Sequence, residues 1–243
     1  MNILVLIISS NTIPIYESDK EVWRLYMNKL INIDAYFIEY KQEIEEIVLD
    51  LKINTLFLPG EESFPNIIHK TLNSFDYFMQ NSTKKYDFIV RTNLSTVCNF
   101  YNLEKYLSNL PTKEYIYCGP YGPYYNLETF KLWFNFVGGI GIIMSRDVCE
   151  LLLEPTNRKI AEDFKNMDDI DIGYVMHTLN IPLLGIEYCK VNSIVELHNS
   201  LPIINDKTHI FYRVKSSSEN REEEPECMRN IISIIYSDLF TKN

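Results

Sequence analysis

The chain has 243 residues, 46% hydrophobic and 23% charged, which is the balance of a globular protein with a sizeable core. Its 33 acidic residues outweigh 23 basic ones for a net charge of −10, which excludes a broad nucleic-acid-binding face but leaves room for a local basic pocket. No apolar run reaches the roughly 18 residues of a membrane span, and the five cysteines show no C-x-x-C spacing, as expected of reduced thiols in a cytoplasmic protein.

In chain order, "NILVLII" (2–8) is a continuous apolar run, the pattern of a strand buried on both faces. It has no basic flank or small-residue cleavage site, so it reads as a core strand and not a signal peptide. After the turn formers "SSNTIP", helical spacing begins at Ser18, a capable cap, with Val22, Leu25, Tyr26, Lys29 and Leu30 on one face. "DAYFIEY" (34–40) is a second strand, giving a β–α–β opening. Residues 44–51 fit either helix or strand, and the closeness of "NTLFLPG" favours strand. A helix over 64–80 takes Pro65 in its first turn. A strand at 86–92, a helix at 102–110 and a strand at 114–119 come next, and then an aromatic loop at 120–136. "VGGIGIIMS" (137–145) is a glycine-marked strand and "RDVCELLLE" a short helix. "MDDIDIGYVMHTLN" (167–180) is a helix with an acidic start, "IPLLGIEY" a strand, "SSSENREEEPE" (216–226) a polar exposed loop, and "CMRNIISIIYSDLF" a closing amphipathic helix. This alternation predicts an α/β fold: a three-layer sandwich around a mainly parallel sheet, in a single domain over 1–243.

Three segments carry candidate chemistry: "RTNLSTV" (91–97), "GGIGIIMSRD" (138–147) and "MDDIDIG" (167–173). Each also has a plain structural account. The glycines suit a bulge or a close backbone approach, and Asp168 and Asp169 suit the first turn of a helix. Arg91, at the C-terminal end of an apolar strand, stands where α/β sheets place ligand sites.

Taken together and in order, these segments resemble the β-1,3-glycosyltransferases, the family of Fringe and the β-1,3-galactosyltransferases. That family carries an "S-Y-x-N-L-T-x-K-T" helix before a strand ending in three aspartates, then "G-G-x-G-Y-x-L-S-R", then "E-D-V-x-x-G". Here "SFPNIIHKT" (63–71) is similar to the first block, "GGIGIIMSRD" to the second and "DDIDIG" to the third, over roughly residues 60–182. The resemblance implies a GT-A fold, Rossmann-like, with residues 1–100 binding a nucleotide sugar and 101–243 supplying acceptor and catalytic groups. It implies a UDP-sugar donor, a glycan or peptide acceptor and inversion. It places Ser9, Ser10 and Asn11 near the base and ribose, Arg91, Thr92 and Asn93 at the donor, and Gly138 and Gly139 beside the acceptor. Asp169 is the implied base, with Asp168 the alternative.

The departure lies where the family keeps its aspartates. Asn93, Leu94 and Ser95 stand there, and a divalent cation bridging a diphosphate needs anionic oxygen. The metal role does not transfer, so no metal site and no obligatory manganese or magnesium are expected. A replacement cation is available in "THIFYRVKSSSENR" (208–221), whose His209, Arg213, Lys215 and Arg221 either grip phosphate or form a solvated basic patch. Arg91 either joins them or pairs with a buried carboxylate. Tyr121, Tyr124 and Trp133 offer flat faces to a sugar acceptor, or else form an aromatic mini-core. The compositional bias and compact size suit a viral or microbial transferase acting in the (host) cytoplasm. A non-catalytic sugar- or nucleotide-binding domain derived from such an enzyme is the competing reading.

Overall fold

A computed structural model of the chain describes residues 1–126, 128–215 and 221–240, with residues 239 and 240 described by backbone alone. β1 (Ile3–Ile8) lies inside an eight-stranded sheet, with Ile3 through Ile7 fully buried as its unbroken apolar run requires. Its neighbours β2 (Ile33–Lys41) and β5 (Phe88–Asn93) are both parallel to it, Ile3 facing Ile33 and Phe88. β4 (Thr55–Pro59) pairs parallel with β2, and the short β3 (Val48–Asp50) closes that edge antiparallel. Beyond β5, β10 (Ile142–Ser145) runs antiparallel to both β5 and β7 (Tyr117–Gly119), and β11 (Leu183–Gly185) ends the sheet parallel to β7. Four of the seven strand pairs are parallel, as the α/β reading expects.

One face of the sheet carries α1 (Pro14–Arg24), α3 (Phe100–Asn109) and α8 (Glu224–Ile235). Ile3, Val5 and Ile7 pack there with Trp23, Phe100 and Ile232. The other carries α2 (Ile67–Asn81), α4 (Arg146–Leu153), α5 (Pro155–Phe164) and α6 (Asp168–Thr178), where Leu4 and Leu6 meet Leu72, Phe75, Val148 and Ile172. The alternating residues of β1 thus feed two cores, which makes three layers. α7 (Ile194–Asn205) and α9 (Ser237–Phe240) complete the helices of the described residues, none of which is long and apolar enough to cross a membrane.

Two smaller sheets shape the rim. β6 (Thr96–Cys98) pairs antiparallel with β13 (Phe211–Arg213), which pairs parallel with β12 (Tyr188–Lys190). β8 (Tyr121–Tyr125) and β9 (Leu132–Val137) form an antiparallel hairpin. The glycine turn between β9 and β10 lets β13 approach: a Cβ at Gly141 would stand 2.3 Å from the ring of Phe211. Gly141→Ala is therefore expected to destabilise the fold by about 1–3 kcal/mol, read as a lower urea midpoint at unchanged slope.

Several local expectations are corrected. α1 begins at Pro14, not at Ser18, because proline needs no N–H partner in a first turn; Leu25 lies beyond its end and is exposed. The expected loop at 120–136 is the β8–β9 hairpin, whose alternation is masked by Gly122 and Pro123. Of the expected strand 137–145, Val137 ends β9, residues 138–141 form a turn, and Ile142–Ser145 is a separate strand. α5 and α7 answer to no predicted element, and α7 hides its period behind an internal Pro202. Of the expected polar loop, residues 216–220 lie outside the described residues, while Glu224 and Pro225 are buried in the first turn of α8.

Candidate functional site

A cleft of about 510 Å³ opens at the C-terminal ends of β1 and β5, the place where strand ends and helix starts of an α/β sheet leave room for a ligand. The three segments singled out from sequence converge on it. Arg91, 3% exposed, ends β5 and ties them together. Its Nε and Nη2 donate to the two carboxylate oxygens of Asp168, both at 2.9 Å. Its Nη1 donates to Asn93 Oδ1 and to the Gly139 carbonyl, both at 2.7 Å. A Cβ at Gly139 would lie 2.4 Å from that Nη1, so this contact needs a glycine. Of the two roles open to Arg91, pairing with a buried carboxylate is the one observed.

Asp168 is thereby engaged on both oxygens, and Thr71 Oγ1 adds a third bond at 2.7 Å. Asp169 is different. It is half-buried at the cleft wall, accepting from the Gly139 N–H at 2.7 Å through Oδ2 and from the Ile170 N–H at 2.9 Å through Oδ1. Burial, with the charge of Asp168 next, raises its carboxyl above the ordinary range; Arg91 and the two N–H groups oppose this. Asp171 is fully buried, accepts from the Asn166 N–H at 2.9 Å and is not among the cleft-lining residues; burial pushes it up to about 7.

The basic wall comes from the far end of the chain. Because β13 pairs with β6, Arg213 is delivered to the Asn93–Ser95 turn, where its Nη1 donates to Ser95 Oγ at 2.6 Å and Thr96 Oγ1 at 3.4 Å. Burial pulls this guanidinium down to about 10, so it stays charged at neutral pH. Lys215 is exposed at the same rim. Arg221 also lines the cleft, but it is held by Glu224 at 3.0 and 3.1 Å and by the Tyr16 hydroxyl at 3.1 Å, stacked over the Tyr16 ring. His209 is elsewhere, in a hollow beside α3 with Asn102 and Lys207.

The remaining expected residues divide in the same way. Ser9 and Ser10 line the cleft, with Ser9 Oγ donating to Glu39 Oε1 at 2.8 Å and Ser10 Oγ sharing a 2.7 Å hydrogen bond with Thr12 Oγ1. Asn11 lines a neighbouring groove of about 800 Å³. Thr92 is buried, its hydroxyl donating to the Ile140 carbonyl at 2.6 Å. Gly139 reaches the cleft; the Gly138 N–H is turned to the Pro120 carbonyl. Tyr121, Tyr124 and Trp133 do not line it. Tyr124 and Trp133 pack with Phe134 and Phe164 into an aromatic cluster between the hairpin and helices α5 and α6. Tyr121, 60% exposed, lies against Gly185.

Lys70 and Thr71 were legible only as the end of the "SFPNIIHKT" block, yet both serve the site. Lys70 is 1% exposed in α2 and donates to the Ser9 carbonyl at 2.8 Å and to Glu62 Oε1 at 2.6 Å. The only local cue was a lysine placed between two apolar residues, Ile68 and Leu72, which the structure buries.

Where the resembled family keeps its aspartates, the donors of this chain do not fit a divalent cation. Asn93 serves Arg91, the Leu94 side chain is buried and its carbonyl accepts from Trp23 Nε1 at 2.7 Å, and Ser95 seats Arg213. Among the described residues no group of three or more His, Cys, Asp or Glu is arranged to hold a metal ion.

No protein-family model matches the sequence, and no curated protein is similar to it in sequence. In three dimensions the chain is similar to the crystal structure of a glycosyltransferase involved in the glycosylation of the major capsid of PBCV-1. The two share 14% identity over 95% of this chain and 100% of that one, with a TM-score of 0.52. At that identity the likeness speaks for architecture alone: the chain shares a Rossmann-like α/β fold with that structure.

Proposed function

We propose that this protein is a glycosyltransferase, related to the β-1,3 family, that moves a sugar with inversion from a UDP-linked donor to a glycan or peptide acceptor without an obligatory metal. The observation that carries the proposal is the Arg213 guanidinium seated 2.6 Å from Ser95, at the position where the resembled family binds its cation. A tethered guanidinium offers paired donors to phosphate oxygens and needs no carboxylate ligands.

In this reading the diphosphate lies against Arg213 and Lys215, and the sugar points toward Asp169. An acceptor hydroxyl attacks the anomeric carbon while the bond from that carbon to the diphosphate oxygen breaks. Asp169 takes the hydroxyl proton, and the nucleoside diphosphate leaves with the electron pair, its charge met by the basic wall. The Gly139 N–H aims Asp169, whose raised affinity for a proton suits a base. Arg91 acts one step back, holding Gly139 and Asp168. The donor site draws on both stretches of the chain, Ser9 to Ser95 from the first and Arg213 and Lys215 from the second. Five buried, unpaired cysteines suit work in a reducing cytoplasm.

Hydrolysis of a nucleotide-sugar panel with EDTA present tests the activity. Slow release of UDP, unchanged by EDTA, is expected; binding without turnover across the panel would instead make this a non-catalytic binding domain. Asp169→Asn is expected to lower turnover by about 10²–10⁴-fold with nucleotide affinity nearly intact. Full turnover in that variant would remove Asp169 from the role.

A further inference from the structure

Behind the basic wall lies a carboxylate for which the reaction has no use. Asp19 sits one helical turn from Tyr16, a cleft-lining residue, on the same side of α1. It is fully buried, and among the described residues neither of its oxygens has a hydrogen-bond partner. A buried carboxylate with no donor is costly to keep ionised, so its surroundings matter. α1 packs against α8. Among the described residues, the charged groups facing Asp19 are Arg221 from the turn before α8, Glu224 and Arg229 from α8 itself, and Arg213 from β13. Its chain neighbour Lys20 is turned away, paired with Glu17 and Glu39 at 2.8 Å each. The two arginines nearest the cleft thus stand between a buried acid on one side and the phosphate position on the other.

We infer that Asp19 is a positioning residue of the phosphate site: a buried counter-charge to Arg213 and Arg221 that takes up a proton when a polyanion fills the cleft. This rests on the cleft being a phosphate site, as proposed above. With the cleft empty, the carboxylate offsets the two guanidinium groups. An arriving diphosphate claims their positive field and places more negative charge nearby, and the neutral acid becomes the stable form. Burial, reinforced by Glu224 and opposed by the arginines, pushes Asp19 up to about 7, so the exchange falls at physiological pH. By linkage the effect is reciprocal: protonating Asp19 strengthens anion binding, and ionising it weakens binding.

Calorimetric titration of inorganic pyrophosphate into the full chain, in EDTA at pH 6 and pH 8, tests this with the wild type and Asp19→Asn. Pyrophosphate's own ionisation is common to both proteins and cancels in the ratio. The wild type is expected to lose about tenfold more affinity than Asp19→Asn between the two pH values. Equal pH dependence in the two proteins overturns the role of Asp19 while leaving the phosphate site standing; no binding by either protein at either pH overturns the site and this inference together. Should the variant fail to fold, the Asp19 carboxyl resonance of the wild type, followed by ¹³C NMR, gives the same answer. Its titration midpoint rises on saturation with pyrophosphate if the inference holds, and stays in place if it does not.

Discussion

Arg213→Ala is expected to weaken UDP binding by about 100-fold, the loss of about 2–3 kcal/mol that follows removal of a charged hydrogen-bond donor from a partly desolvated site. The wild-type guanidinium leans on the hydroxyls of Ser95 and Thr96, so these bonds orient it without neutralising it. Its removal leaves two hydroxyls that water can satisfy but also takes a counter-charge from the buried Asp19, so a modest fall of the thermal midpoint is expected beside the loss of affinity. Arg213→Lys keeps the charge but not the planar fork, and an intermediate affinity is expected. Calorimetry with UDP in EDTA separates the three proteins. Undiminished affinity in Arg213→Ala would show that the basic wall does not hold the diphosphate.

The second large effect falls on stability. Arg91→Met removes the partner of Asp168 and leaves a buried carboxylate that, among the described residues, keeps the Thr71 hydroxyl alone. Breaking a buried pair from one side costs about 3–5 kcal/mol. Urea unfolding at pH 7 is the measurement. Arg91→Met with Asp168→Asn removes both charges and is expected to recover much of the loss. A single variant as stable as the wild type at pH 7 would mean that the pair does not hold the turn at Gly139 and the start of α6.

Much of this arrangement was legible before any coordinates. The unbroken run of β1 announces a central strand, and the spacing of "RTNLSTV", "GGIGIIMSRD" and "DDIDIG" announces one site. The rest depended on contacts that local pattern does not encode. Arg91 had two open roles because its partner lies 77 residues away. Arg213 reaches Ser95 only through β13, a three-residue strand too short to show a period, paired with β6 more than a hundred residues earlier. Arg221 and Arg213 look alike in sequence, and only Glu224 tells them apart. Lys70 reads as one lysine on an amphipathic helix until its neighbours are seen to be buried. Tyr124 and Trp133 belong to a hairpin whose glycine and proline conceal it, and their rings pack with Phe164 of α5 and Tyr174 of α6.

The central proposal is that a tethered guanidinium takes the place that a metal ion has in the β-1,3-glycosyltransferases this sequence resembles. A crystal structure of the UDP complex, grown once with EDTA and once with manganese, tests it most directly. The expected result is the same complex twice: Arg213 within hydrogen-bond distance of the phosphates, Lys215 beside them, and no ion at Asn93 or Ser95. Manganese bridging the diphosphate to Asn93 or Ser95, with Arg213 turned away, would contradict it.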